Sequence, residues 1–325
     1  MTEPVFGVEN LSVKIGTNRI LQDVSWSVGA GETLGIVGES GSGKSLSLLA
    51  ATGLLSRDSA EISGKAFLKF RGEEVDLLEL SARRLRDFRG KGIGFVFQDP
   101  QSSLNPIMTV EQQITETLRY HLGLRGKAAT AKAKDLLDLV GIPDPQRRLE
   151  SYPHELSGGM RQRVMIAIAL SCDPQVLIAD EPTTALDVTV QAQILEIVDN
   201  LQQQLGTAVV WVSHDLGVVA QIADHITVLY AGEVLETGTK DQVFASPAHP
   251  YTAGLISSRA RITKRLDELK AIPGSPPKPS DSRKGCVFYD RCALRSDARC
   301  ATEHPPLREV SPGHFTRTFY EVNID

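Results

Sequence analysis

What the sequence lacks narrows it first. Its longest apolar run, Val164–Leu170, covers seven residues, against the ~20 that a membrane-spanning helix needs. Met1-Thr-Glu-Pro-Val-Phe6 carries neither a basic nor an apolar segment, so the expectation is a chain without a signal peptide that stays in the cytoplasm. Cysteine is scarce, four in 325 residues, which excludes a disulfide framework, yet three of the four fall together at Cys286, Cys292 and Cys300. No excess of positive charge exists either. With 35 basic and 40 acidic residues the formal net charge is −5, which argues against a general nucleic-acid binder. Glycine and proline are too scattered for a fibrous chain, and no repeat with a period of about 20–50 residues recurs.

What remains is ordinary globular composition, 41% hydrophobic and 23% charged. The length suffices for about two domains at roughly 150 residues each. Short apolar runs alternate with longer amphipathic stretches, which predicts an α/β domain. Thr33–Val37, Ile93–Phe97, Val176–Ala179 and Val209–Ser213 are apolar at successive positions, as strands buried on both faces of a parallel sheet must be. Val5–Val13 and Ile20–Val28 alternate instead and predict an antiparallel flank. Apolar spacing of three and four predicts helices over Val110–Leu122, Ala128–Val140, Ser157–Ser171 and Gln191–Leu205. After about Ser257 the pattern changes. Ile272–Pro279 holds four prolines in eight residues, an extended linker, and a small cysteine-containing segment with a polar tail follows.

Three segments carry chemistry. Gly38, Glu39, Ser40, Gly41, Ser42, Gly43, Lys44 and Ser45 fit the phosphate-loop pattern GxxxxGK[ST] between a predicted strand and a predicted helix. Its glycines let backbone N–H groups converge on a phosphate chain at the positive end of the helix, with Lys44 toward the β and γ phosphates and Ser45 toward Mg2+. Val176–Ala179 ends in Asp180 and Glu181, at the strand end where open α/β sheets bind ligands. Asp180 suits a Mg2+ ligand and Glu181 a base for attacking water, although a helix cap would use the same residue types. Leu156-Ser-Gly-Gly-Met160-Arg-Gln-Arg163 then opens a second helix on glycines, with Ser157 as its N-cap. A phosphate-loop kinase has no use for that second glycine-rich helix start.

In this combination the chain resembles the ATP-binding-cassette ATPases over roughly residues 5–257. The resemblance implies a phosphate-loop NTPase cassette with a mixed, mainly parallel core sheet, an antiparallel β flank and a helical signature subdomain near residues 100–170. It also implies ATP hydrolysis with Mg2+ held by Ser45, Gln98 and Asp180. Ser157, Gly158 and Gly159 would cover the γ-phosphate of ATP bound to a partner cassette in a head-to-tail dimer. Gln98 falls at the Q-loop, Thr184-Ala-Leu-Asp187 at the D-loop, and His214 at the switch histidine that contacts the γ-phosphate. At the place where the family stacks adenine on an aromatic ring stands Ile15, which forgoes a stacking contribution of about 0.5–1.5 kcal/mol.

Phe97–Pro106, Asp187–Gln193, His249-Pro-Tyr-Thr252 and the proline-rich linker resemble the dipeptide and oligopeptide importers, and Met160 resembles their D-type subunit. That branch implies a second, paralogous ATPase subunit, two transmembrane permease subunits, an extracytoplasmic solute-binding protein, and a place on the cytoplasmic face of the cytoplasmic membrane. Relatives there also carry nickel, glutathione or oligosaccharides. Soluble cassette ATPases of translation or DNA repair are the rival class, but they usually hold two cassettes or a long coiled-coil insertion. The expected division is residues 1–257 for the ATPase and 258–325 for linker and extension. Some members hold a [4Fe–4S] cluster on four cysteines. Here Cys286, Cys292 and Cys300 align with three, Thr318 stands at the fourth, and His304 or His314 are alternative ligands beside a reading of all three as buried structural thiols. Arg259–Arg299, with 11 basic and 5 acidic residues, reads as a solvated linker or as a surface for acidic loops or anionic lipid.

Overall fold

A computed structural model describes residues 3–184, 186–258, 272–278, 284–295 and 297–319. Its strands among these are β1 (Pro4–Ile15), β2 (Asn18–Gly29), β3 (Thr33–Val37), β4 (Glu61–Phe70), β5 (Glu73–Asp76), β6 (Ile93–Val96), β7 (Val176–Asp180), β8 (Ala208–Ser213), β9 (His225–Tyr230), β10 (Glu233–Thr239), β11 (Arg308–Ser311) and β12 (His314–Thr316). Two compact units share them. One comprises the described residues within Met1–Phe6, Val28–Thr33 and Phe67–Val212, and the other those within Gly7–Ser27, Leu34–Ala66 and Ser213–Asp325.

In the first unit β6, β7 and β8 run parallel, with Ile93 opposite Val176 and Val176 opposite Ala208. Every residue of β7 and β8 is buried, which is why both segments read as unbroken apolar runs. Helices then build on capped termini. Val110–Leu122 opens with a reciprocal capping box between Thr109 and Gln112, and closes on Gly123 at φ 71°. Val110, Ile114 and Leu118, four residues apart, form its buried stripe. The helix Gly158–Leu170 buries Val164, Met165, Ile166 and Ala167 in succession, so it is enclosed rather than amphipathic. Arg163 on it donates to the carbonyls of Val140 and Gly141, both at 2.9 Å, and reaches Gln193 Oε1 at 2.5 Å. One side chain thereby ties three segments of this unit.

The second unit places β3 parallel to β9, with Leu34 opposite His225 and Val37 opposite Val228. β1 and β2 are neighbours joined by only Gly16 and Thr17, a connection that two antiparallel strands alone can make. The antiparallel flank and the parallel core are thus as the patterns predict. The hairpin of β9 and β10 was not predicted. It turns at Ala231 and Gly232, whose φ values of 49° and 84° are those of a type I′ turn. β12 pairs antiparallel with β10, and β11 with β12. What reads in the sequence as a polar tail therefore extends a sheet.

A buried carboxylate organises this edge. Glu236 accepts from the N–H groups of Ala248 (2.7 Å) and His249 (2.9 Å), and its other contact is His314 Nε2 at 2.7 Å. His249 in turn caps the helix Pro250–Ser257, its Nδ1 accepting from the Tyr251 N–H at 3.0 Å. Burial pushes the His249 imidazole down to about 3, so it is neutral in the folded protein. The unfolded chain, with an ordinary histidine, binds this proton near pH 6.5. Stability from this site is therefore fully present above pH 6.5 and falls as pH drops toward 3, at up to about 1.4 kcal/mol per pH unit. Urea unfolding at pH 7.5 and 5.5 measures it. His249→Asn, which keeps a capping acceptor but cannot be protonated, is expected to flatten the difference.

Candidate functional site

Two constellations, one in each unit, hold the residues singled out from the sequence. In the second unit β3 delivers the chain to Gly38, and the loop ends at Gly43, which caps the helix Lys44–Ala51 in a left-handed conformation without a side-chain capping bond. The loop turns on glycine for steric reasons. Gly38 has φ 153° and Gly43 φ 102°, and a Cβ on Gly38 would lie 2.1 Å from the Leu229 carbonyl oxygen. Lys44 Nζ donates to the carbonyls of Gly38 (2.8 Å) and Glu39 (3.1 Å). The Ser42 hydroxyl is 3% exposed and has no hydrogen-bond partner. An uncapped helix start beside an orphaned buried hydroxyl fits an anion such as a polyphosphate.

Three supports hold this loop from behind, and only the family markers around two of them drew notice in the sequence. The Gly232 N–H of the β9–β10 turn donates to the Ser42 carbonyl at 2.9 Å. The Glu39 N–H donates to Tyr251 Oη at 2.9 Å. Arg291 donates to both carboxylate oxygens of Glu39, Nη1 at 2.7 Å and Nη2 at 3.0 Å. Tyr230, whose hydroxyl lies 3.2 Å from Arg291 Nη1, packs against Tyr251 in a tilted arrangement at 4.6 Å and meets Phe288 edge-on at 5.3 Å between ring centroids. Burial by itself would lower the Arg291 guanidinium, but the bonds to Glu39 and Tyr230 outweigh it and hold the charge more firmly than usual. Of the basic stretch expected to be a solvated linker, 259–271 and 279–283 lie outside the described residues, and Arg291 is buried and paired. His214 follows β8 and is exposed, just ahead of Asp215, which caps Leu216–Ile222. Ile15 is 39% exposed at the end of β1.

In the first unit Asp180 ends β7 and is buried. Glu181 follows with φ 45°, an uncommon conformation for a residue with a side chain, and its N–H donates to the Val212 carbonyl at 3.0 Å. Glu181 Oε2 accepts from Gln98 Nε2 at 3.3 Å and from Thr184 Oγ1 at 3.0 Å. Three residues read separately from the sequence are thus brought together. Ser157 caps Gly158–Leu170 through Met160 N–H at 3.3 Å, and Asp187 caps Val188–Leu205 through Val190 N–H at 2.9 Å. Ser157, Gly158, Gly159 and Asp187 line one cavity of about 430 Å³. Val188 beside it is 83% exposed. Ala185 of the expected D-loop lies outside the described residues.

The cysteine segment does not fit a cluster. Among the described residues no three His, Cys, Asp or Glu side chains converge on a metal position. Burial pushes the Cys286 thiol up to about 11, with Cys300 and Cys292 adding to the shift, and burial raises Cys300 as well. The alternative ligands are engaged elsewhere, His304 Nε2 with Glu233 and His314 Nε2 with Glu236, both at 2.7 Å. Thr318 is buried at the fourth position. These observations count against the expected iron–sulfur cluster: the group is three free thiols, Cys292 and Cys300 buried and Cys286 partly so.

A parallel sheet feeding a glycine loop into a helix, with an acid-tipped strand and a second glycine-led helix, defines a phosphate-loop NTPase. A family model described as "ABC transporter" matches residues 21–184, and one described as "Oligopeptide/dipeptide transporter, C-terminal region" matches residues 235–300. The chain is 48% identical over 320 residues to a peptide import ATP-binding protein of Brucella abortus, covering 97% of this chain and 95% of that one. It is 46% identical over 308 residues to the oligopeptide transport ATP-binding protein OppD of Bacillus subtilis, covering 94% and 84%. Among solved structures it resembles the cassette MJ0796 in a dimeric post-hydrolysis state bound to ADP and Pi, with TM-score 0.64, 28% identity, and coverage of 72% and 98%. The chain belongs to the ATP-binding-cassette transporter family and is an ATPase.

Steric demand predicts a ranking within the loop. Gly38→Ala adds a collision with the Leu229 carbonyl to a conformational cost of about 1–3 kcal/mol, whereas a Cβ on Gly41, at φ 78°, would meet nothing within 4 Å. Urea unfolding should therefore show a larger loss for Gly38→Ala than for Gly41→Ala.

Proposed function

We propose that this chain is the ATP-hydrolysing subunit that energises import of dipeptides or oligopeptides across the cytoplasmic membrane, bound peripherally at its cytoplasmic face. The observation that carries the reading is the pairing of a region matching ABC transporters with a C-terminal region matching that of oligopeptide and dipeptide transporters. Among the described residues no helix is long and apolar enough to cross a membrane, so the pore is assigned to two permease subunits. A solute-binding protein outside the membrane would deliver cargo to them. Residues 1–257 serve hydrolysis and 258–325 form the branch-specific extension.

In this reading the loop Gly38–Ser45 holds the ATP phosphates, Lys44 balances the β and γ charge, and Ile15 lies against adenine. Ser45, Asp180 and Gln98 would hold Mg2+, which would neutralise charge on the phosphate oxygens. Glu181 orients attacking water and accepts its proton, His214 contacts the γ-phosphate, and Gln98 also senses the permease docked near Asp99 and Pro100. Ser157, Gly158 and Gly159 serve the ATP of a second, paralogous cassette paired head to tail, and Asp187 of the D-loop links the two sites of the dimer. The helix start behind Ser157 offers an anion the same positive end as the phosphate loop does. Closure of the pair is then driven by the γ-phosphate, and hydrolysis removes the contact that favoured it.

Glu181→Gln tests the chemistry. Turnover of the assembled transporter should fall at least about 100-fold, while ATP still promotes cassette pairing in size-exclusion chromatography. Hydrolysis at the normal rate would remove Glu181 from the mechanism. Cargo is tested by co-purifying the membrane partners and measuring which loaded binding protein stimulates hydrolysis. Stimulation by nickel, glutathione or an oligosaccharide in place of a peptide would reassign the solute.

A further inference from the structure

The strongest feature outside the motif set lies where the cysteine segment meets the phosphate loop. Arg291 sits in a single turn, Tyr289–Arg291, between Cys286 and Cys292, and is the buried residue of that turn. Arg291 is 7% exposed and each guanidinium nitrogen finds an acceptor, the three nitrogens together reaching Glu39, Tyr230 and the 272–273 segment. Nε donates to the Pro273 carbonyl at 2.8 Å, Nη2 to the Ile272 carbonyl at 3.4 Å as well as to Glu39, and Nη1 to Glu39 and Tyr230. The contact with Glu39 is a two-point fork, the geometry that fixes a carboxylate in orientation as well as in place.

We infer that Arg291 is a positioning residue of the ATP site: it holds Glu39, and through Glu39 the phosphate loop, so that the C-terminal extension completes the nucleotide site. Three observations support this. Glu39 is held at both its backbone and its side chain, the N–H by Tyr251 and the carboxylate by Arg291. The Glu39 carbonyl also accepts from Lys44 Nζ, so the residue gripped by Arg291 is one that sets the lysine's place. Last, a carboxylate within a loop built for a polyanion repels its ligand unless a cation cancels it, and a buried guanidinium does so with little screening. Arg291 acts through Glu39 and needs no contact with the nucleotide.

The inference rests on Gly38–Ser45 being the ATP phosphate loop, and the experiment separates the two. ATP dependence of hydrolysis is measured for the assembled transporter carrying Arg291→Ala, Arg291→Lys, Glu39→Gln, Arg291→Ala with Glu39→Gln, and Lys44→Ala. Arg291→Ala is expected to raise KM for ATP about tenfold with a smaller change in kcat, because an uncancelled Glu39 charge weakens binding first. Arg291→Lys keeps the charge without the fork and should fall between it and wild type. Adding Glu39→Gln to Arg291→Ala should recover part of the lost affinity, which loss of packing alone cannot produce. An unchanged KM in Arg291→Ala with only a lower melting temperature would overturn the inference, as would double-variant effects that simply add. Should Arg291→Ala fail to fold, Glu39→Gln and Arg291→Lys carry the test: wild-type KM in both overturns it. Normal ATP binding by Lys44→Ala would instead sink the phosphate-loop reading beneath it.

Discussion

A phosphate-binding loop must present bare backbone N–H groups, and that requirement constrains everything around it. No side chain can occupy the space in front, so the loop turns on glycines in left-handed conformations and gains no packing of its own. Gly38 lies too close to the Leu229 carbonyl for any Cβ. Conformational entropy lost in ordering such a loop has to be offset from behind. The β9–β10 turn, the Tyr251 hydroxyl and the Arg291 fork do this with polar contacts at 2.7–3.0 Å. Each support binds backbone or side chain of residues 39–42, and none takes the uncapped helix start.

The acid-bearing strand solves a related problem by a different route. β7 is buried along its whole length, which fixes its end, and the strained residue follows immediately. Glu181 keeps its left-handed backbone because its N–H is paired with Val212, and its carboxylate is oriented by Gln98 and Thr184. Strain of this kind persists only where neighbours overdetermine it. The arrangement holds the Glu181 carboxylate in one direction through neutral donors on Gln98 and Thr184.

Periodicity makes much of this legible in the sequence. The four apolar runs became β3, β6, β7 and β8, although β6 takes the edge of its sheet rather than a central place, and the Val110–Leu122 helix has the bounds its pattern predicts. Glycine spacing marked the loop between β3 and the helix Lys44–Ala51, where Gly38, Gly41 and Gly43 do adopt positive φ. Pairings between distant segments left no such trace. His304 and His314 were plausible metal ligands until Glu233 and Glu236, on a strand about seventy positions earlier, supplied each with a partner. Charge counting likewise placed Arg291 in a solvated stretch, because composition cannot distinguish a surface cation from one paired across 252 residues.

That last pairing changes what the extension is for. The cassette MJ0796 is covered over 98% of its length by only 72% of this chain, so more than a quarter of the present sequence lies outside the shared cassette. Buried ion pairs are weak sources of stability, because desolvation consumes most of their Coulombic gain. Geometry is what such a pair supplies well. A fork that fixes one carboxylate in the phosphate loop, anchored by a turn between two packed cysteines, gives the accessory segment a direct hold on nucleotide binding without adding a group to the chemistry. A cassette without this extension has no Arg291, and a glutamate at the same loop position would there confront the triphosphate with its charge uncancelled.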